Sequence, residues 1–167
     1  MALEPLLPLL ALDLSRWELY GLFFLLGSFA VATLSDIKHM SAQREFMDVW
    51  WAVAVVLLAV QLWQSDLRPA WPLVAKWFLV VLFALASHRR LGLWLRLATA
   101  DVAACVAAAM LLPPGLVIAF FALLKLLAWP MSRLLARGKP AYPFMPVISL
   151  ATIALLAVAF LAGVVEA

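Results

Sequence analysis

Long uninterrupted runs of apolar residues constrain the fold of this chain more than any other feature. Six runs can be delimited, each ending close to charged residues or prolines: about Trp17–Leu34, Val49–Trp63, Leu73–Ala86, Leu91–Leu112, Gly115–Trp129 and Phe144–Val165. The runs are continuous and do not alternate with polar residues, which is typical of helices in lipid, where the backbone must satisfy its own polar groups. We therefore predict an all-α, polytopic membrane protein with six transmembrane helices.

Composition supports the same class and limits the number of domains. Of the 167 residues, 68% are hydrophobic, whereas a soluble domain is roughly half apolar. The length predicts a single integral membrane domain spanning residues 1–167. The segment Met1–Leu14 has no basic n-region, so we predict an interfacial segment and not a signal peptide. The single cysteine, Cys105, excludes an internal disulfide, and the isolated His39 and His88 do not predict a metal site.

The distribution of basic residues predicts the orientation in the membrane. The loops after the first, third and fifth runs carry most of them: Lys38, Arg44, Arg89, Arg90, Arg96, Arg133, Arg137 and Lys139. The opposite side carries mainly Arg16 and Arg68. Because Lys and Arg are enriched in cytoplasmic loops, these three loops are expected to face the cytoplasm, with both termini outside. Because the basic residues are explained by membrane orientation, they give no reason to expect nucleic acid as a partner.

One carboxylate, Asp101, lies within a run of small apolar residues that continues to Leu112. An ionisable residue inside the membrane is by default a candidate functional site. The best partner for it is Asp36, which follows the first apolar run. Asp101 lies five residues beyond Arg96, which corresponds to about 7–8 Å along a helix. Both carboxylates are therefore expected near the cytoplasmic face at similar depth, where they could meet.

Two carboxyl groups a few ångströms apart do not both ionise easily, so they share a proton. This arrangement suits aspartic proteolysis. The ionised member accepts a proton from the water that attacks the peptide carbonyl, and the protonated member polarises that carbonyl. Titration belongs to the pair, so the sequence assigns neither Asp36 nor Asp101 as the fixed acid or base.

Three segments carry a resemblance to a known family. Ser35-Asp36-Ile37-Lys38 places an acid two residues before a base after the first run, and Ala98-Thr99-Ala100-Asp101 lies in the fourth run. Lys139-Pro140-Ala141-Tyr142-Pro143-Phe144-Met145-Pro146 leads into the last run. In placement and helix number the chain resembles the A24 family of aspartic membrane peptidases, the prepilin and preflagellin peptidases, and its compact archaeal members above all.

The resemblance implies an intramembrane aspartic endopeptidase in the cytoplasmic membrane, with Asp36 and Asp101 as catalytic residues and no cofactor or metal. The implied partners, apart from the lipid bilayer, are precursors of the type IV prepilin or preflagellin (archaellum) kind. Such substrates carry a short basic leader before a hydrophobic helix, and the leader is removed at the cytoplasmic face. Glu45 and Asp48 are candidate substrate-binding residues, because their charge could attract a basic leader.

Departures from the family pattern leave two other functions open. Ala98 and Ala100 stand where the family has glycines, and Ala103 and Ala104 stand where a basic residue is common. These changes favour a catalytically inactive structural homologue or assembly factor as the main alternative. A small transporter or proton-relay subunit using Asp101 is the other. It is disfavoured because the sequence shows no inverted repeat of the kind that transporters use and no additional carboxylate at mid-membrane.

Overall fold

The computed structural model describes residues 12, 14–39, 44–64, 70–136 and 142–165. Within these residues the protein is all-helical, which confirms the predicted class. The helices are α1 (Arg16–His39), α2 (Arg44–Trp63), α3 (Ala70–Ser87), α4 (Thr99–Ala109), α5 (Pro114–Leu135) and α6 (Met145–Val165). The predicted interfacial segment Met1–Leu14 lies almost entirely outside the described residues, as do Arg68 and 137–141.

Three of the helices are long and apolar enough to cross a membrane. They comprise Arg16–His39, Glu45–Trp63 and Pro114–Leu135. The described parts of α3, α4 and α6 are apolar but shorter. The structure therefore supports a membrane protein with three candidate spans, whereas the predicted set of six spans is not confirmed.

Helix α1 has one face buried in the bundle, while its other faces carry exposed apolar side chains. Its buried residues recur every three or four positions along one face: Glu18, Leu22, Leu25, Phe29, Ala32 and Asp36. This spacing forms a single stripe on a helix. Large apolar side chains such as Phe23 and Leu34 are exposed on the other faces, as expected where lipid replaces water. The stripe is apolar except at its two ends, each of which carries a carboxylate.

The fourth apolar run, Leu91–Leu112, does not form the single long helix that we predicted. The helix covers only Thr99–Ala109, about 16 Å at 1.5 Å per residue, or roughly half of a ~30 Å hydrocarbon core. The preceding residues fold back on the end of α3, where the Leu97 N–H donates to the Ser87 carbonyl at 2.9 Å. Gly92 has a φ of 57°, a left-handed conformation that glycine adopts readily. The prediction was wrong because apolar composition does not distinguish this ordered loop from a helix.

The short helix α4 lies at the centre of the bundle. It contacts α1, α2, α3 and α6, while α5 packs against α3 and α6. Every residue from Val102 to Ala109 is buried. Most of them are alanines, and small side chains allow neighbouring helix backbones to approach closely.

Two side-chain hydrogen bonds fix the rotation of α1 against its neighbours. The Thr33 and Ser149 hydroxyl groups are 2.8 Å apart and join α1 to α6. The indole N–H of the fully buried Trp50 donates to the Ser28 hydroxyl at 3.0 Å and joins α1 to α2. Together they turn the stripe that ends in Asp36 towards the interior.

Candidate active site

Asp36 lies in the last turn of α1, and not just beyond it as predicted, and its side chain is only 5% exposed. Its Oδ2 accepts a hydrogen bond from the backbone N–H of Met145 at 3.1 Å. Met145 is the first residue of α6, so this N–H has no acceptor within its own helix. The N-terminus of a helix also carries a partial positive charge. Helix α6 therefore stabilises a negative charge on Asp36.

Asp101 is the third residue of α4 and is half-buried. Its carboxyl group hydrogen-bonds the backbone N–H of Ala98, the N-cap residue of α4. This contact is one half of a capping box, in which an acid in the first turn reaches back to the N-cap. The residues that follow it on α4, from Val102 to Ala109, are all buried.

The structure brings the two predicted acids together. Helices α1 and α4 are in contact, and the Asp36 and Asp101 carboxyl groups interact electrostatically. Two like charges that interact in a site partly shielded from solvent do not both ionise easily, so the favoured state of such a pair holds one proton. The pair is thus suited to general acid–base chemistry, with one group accepting a proton while the other donates one.

Alanine in place of the family glycine does not strain the backbone at Ala98. Its φ is −68° and its ψ is 160°, an extended conformation that any residue adopts. Glycine is required only where φ is positive or where another group approaches closely. The local geometry at the start of α4 is therefore accessible to this sequence.

Tyr142 belongs to the site and was not singled out by the sequence. It lies three residues before α6, and its ring centroid is 5.9 Å from that of Phe144. Burial, and then the negative charge of Asp101, raise the pKa of the Tyr142 phenol above its ordinary value. The only sequence signal was its position within the segment that leads into the last apolar run. That position does not distinguish Tyr142 from the residues around it.

The two predicted substrate-binding acids lie on the surface. Glu45 and Asp48 are both exposed near the start of α2. Acidic residues at this end of a helix also interact favourably with its dipole. Their exposure leaves them accessible to a partner, but no hydrogen bond or ion pair in the described part of the chain joins them to Asp36 or Asp101.

The described residues contain no group of three or more side chains suited to holding a metal ion. Cys105 is a free, buried thiol one turn beyond Asp101.

The chain was compared with known proteins. No family model, no curated protein and no solved structure matches it.

Proposed function

We propose that this protein is an intramembrane aspartic endopeptidase that resembles the prepilin and preflagellin peptidases. It would remove the short basic leader from a type IV prepilin-like or preflagellin-like precursor at the cytoplasmic face. The observation that carries the proposal is that Asp36, which is buried, and Asp101, which is half-buried, come from helices far apart in the sequence and lie close enough for their charges to interact. Placing two carboxyl groups near each other in a largely apolar interior is costly, and ionisable groups in such surroundings are concentrated at functional sites.

The surroundings of the acids support different roles for them. Asp36 receives the N–H of Met145 from the N-terminus of α6, which favours a carboxylate, so Asp36 accepts the proton of the attacking water. Asp101 also meets a backbone N–H, but it begins a segment in which every residue from Val102 to Ala109 is buried, so we assign to Asp101 the proton that is donated to the carbonyl oxygen. Collapse of the tetrahedral intermediate breaks the C–N bond, the proton held by Asp36 passes to the leaving amine, and the proton on the former carbonyl oxygen returns to Asp101 as the C=O bond re-forms.

Six membrane passages are part of the same proposal. Helices α3 and α6, of 18 and 21 residues, complete the set begun by the three long spans, and α4 joins them as a short helix inside the bundle. Exposed basic residues lie at the end that carries the acid pair, including Lys38, Arg89 and Arg90. This charge supports a site at the cytoplasmic face, with both termini outside.

A cleavage assay tests the proposal. The wild-type protein is co-expressed with a prepilin-like substrate, and Asp36→Asn and Asp101→Asn are compared with it. General acid–base catalysis contributes about 10²–10⁴-fold to a rate, so each variant should lose at least two orders of magnitude. Asp66→Asn, the same substitution between the second and third apolar runs of the sequence, is the matched control. Native cleavage rates in either site variant would rule out a catalytic pair.

A structural role is the second candidate, and one observation favours it. The bonds that Asp36 and Asp101 make to backbone N–H groups are also those by which acids fasten helix N-termini. A purely structural pair predicts that both Asn variants lose stability while no cleavage is seen in the wild type. A peptidase predicts lost cleavage in variants that still fold.

A proton relay along α1 has less support from the structure. Between Glu18 and Asp36 the buried stripe of α1 consists only of apolar side chains, which cannot pass a proton along the helix. Proton flux in proteoliposomes that Asp101→Asn abolishes, without any proteolysis, would favour this function instead.

A further inference from the structure

A second group of buried polar residues lies at the opposite ends of α1 and α4 from the acid pair. It consists of Glu18 on α1, Gln61 on α2, Lys76 on α3 and the backbone carbonyl of Met110 at the end of α4. We refer to these four groups as the far junction. Glu18 and Gln61 are only 3% and 5% exposed. Four helices therefore meet through polar groups within a largely apolar bundle.

The hydrogen bonds of the far junction form a continuous connection from α1 to α4. The Gln61 side-chain amide donates to Glu18 Oε1 at 3.0 Å and to the Met110 carbonyl at 2.9 Å. Lys76 Nζ donates to the same carbonyl at 3.1 Å. Glu18 is itself fixed, because its Oε2 accepts the N–H and the hydroxyl of Ser15 at 2.9 and 2.8 Å in a capping box.

The position of α4 along its own axis depends on such directional contacts. The last carbonyl groups of a helix have no donor within the helix, and its C-terminus carries a partial negative charge. Gln61 and the cationic Lys76 satisfy the Met110 carbonyl. The body of α4, by contrast, packs through alanine methyl groups such as Ala104 and Ala107, whose contacts are not directional.

We propose that Gln61 is a positioning residue that sets the axial position of α4 relative to α1, and thereby the separation of Asp101 from Asp36. A helix is stiff over the length of α4, so a displacement at Met110 is transmitted to Asp101. A misplacement of about 1 Å can lower a catalytic rate about 100-fold. The consequence for catalysis depends on the proposed function, whereas the consequence for geometry does not.

A distance measurement tests the geometric claim without any assay of activity. Spin labels are attached to cysteines introduced at Ile37 and Ala98, both exposed, in a Cys105→Ala background that removes the one native thiol. Dipolar electron paramagnetic resonance is then recorded with and without Gln61→Met, which keeps the side-chain length and removes the donor.

Gln61→Met should shift the mean label separation by about 1 Å or visibly broaden its distribution, since one residue of axial slip is 1.5 Å. Gln64→Met is the matched control, because Gln64 lies one turn further along the chain and makes no hydrogen bond to α4 within the described residues. It should leave the distances unchanged. If Gln61→Met fails to fold, Lys76→Met removes the other donor to the same carbonyl. An unchanged distribution in the folded variant overturns the proposal.

Cleavage kinetics provide the second readout. Gln61→Met should lower kcat about 100-fold with KM within twofold of the wild type, because substrate contacts are unchanged. Global loss of folded protein would instead lower the amount of active enzyme. If the label distances change while kcat does not, positioning by Gln61 stands and the catalytic role of the acid pair is contradicted. If the wild type never cleaves, only the distances decide.

Discussion

The contact between Asp36 and the start of α6 can be tested by removing one backbone N–H. Met145→Pro deletes the donor, and proline is well tolerated at the first position of a helix because that N–H has no partner within the helix. Phe144, the preceding residue, is outside the helix, as a residue before proline prefers. Met145→Ala keeps the N–H and is the matched control for loss of the buried side chain.

The expected magnitude follows from the geometry. A hydrogen bond to a charged group contributes about 1.5–3 kcal/mol, and this one is 3.1 Å long to a carboxylate that is almost fully buried. Proline offsets about 0.4–1 kcal/mol by restricting the unfolded chain. Met145→Pro should therefore be less stable than Met145→Ala by about 1–2 kcal/mol. In an Asp36→Asn background the acceptor is neutral, and the difference should fall close to zero.

The assay is reversible unfolding in detergent micelles, followed by circular dichroism, for the four variants of this cycle. If Met145→Pro were more stable than Met145→Ala by the proline gain of about 0.4–1 kcal/mol, the N–H would contribute nothing. A difference that persists unchanged with Asn at position 36 would show that it arises from proline alone. Either result would remove the argument that α6 stabilises the charge on Asp36.

Two further predictions concern the surroundings of the pair. In a Tyr20→Phe background, the absorbance of tyrosinate should report a pKa for Tyr142 above 10, and Asp101→Asn should lower it, because the nearby negative charge is removed while burial remains. An unchanged titration would mean that the two groups are not close. Replacing Glu45 and Asp48 with Gln and Asn should raise KM for a basic leader a few-fold with kcat unchanged, since exposed ion pairs contribute about 0–1 kcal/mol. A fall in kcat alone would place these acids in the chemistry.

The sequence predicts a helix correctly where a long apolar run packs along the interior of the bundle. It does not predict the exact helix ends or the ordered loop within the fourth run. Helix α1 extends past its predicted end at Leu34 to His39, because its last turn is amphipathic and not apolar. The error at Leu91–Leu112 has a different origin. The hydrogen bond between Leu97 and Ser87 pairs backbone groups that no pattern of side chains reports.

Part of the candidate site could likewise be predicted from the sequence, and part of it could not. Asp36 and Asp101 could be predicted because a charge beside or within an apolar run needs an explanation. The Met145 N–H could not, because a backbone donor at a helix start leaves no trace in composition. The far junction did leave a signal, since Ser15 and Glu18 have the spacing of a capping box. That pattern predicts a helix start but not the buried contact with Gln61.

The number of protons held by the acid pair tests the central claim most directly. Infrared difference spectra at neutral pH detect the carbonyl stretch of a protonated carboxylic acid. We expect one such band to belong to the pair, and to shift or disappear in both Asp36→Asn and Asp101→Asn. Bands that neither substitution alters would show that the two carboxyl groups share no proton, and would contradict the account.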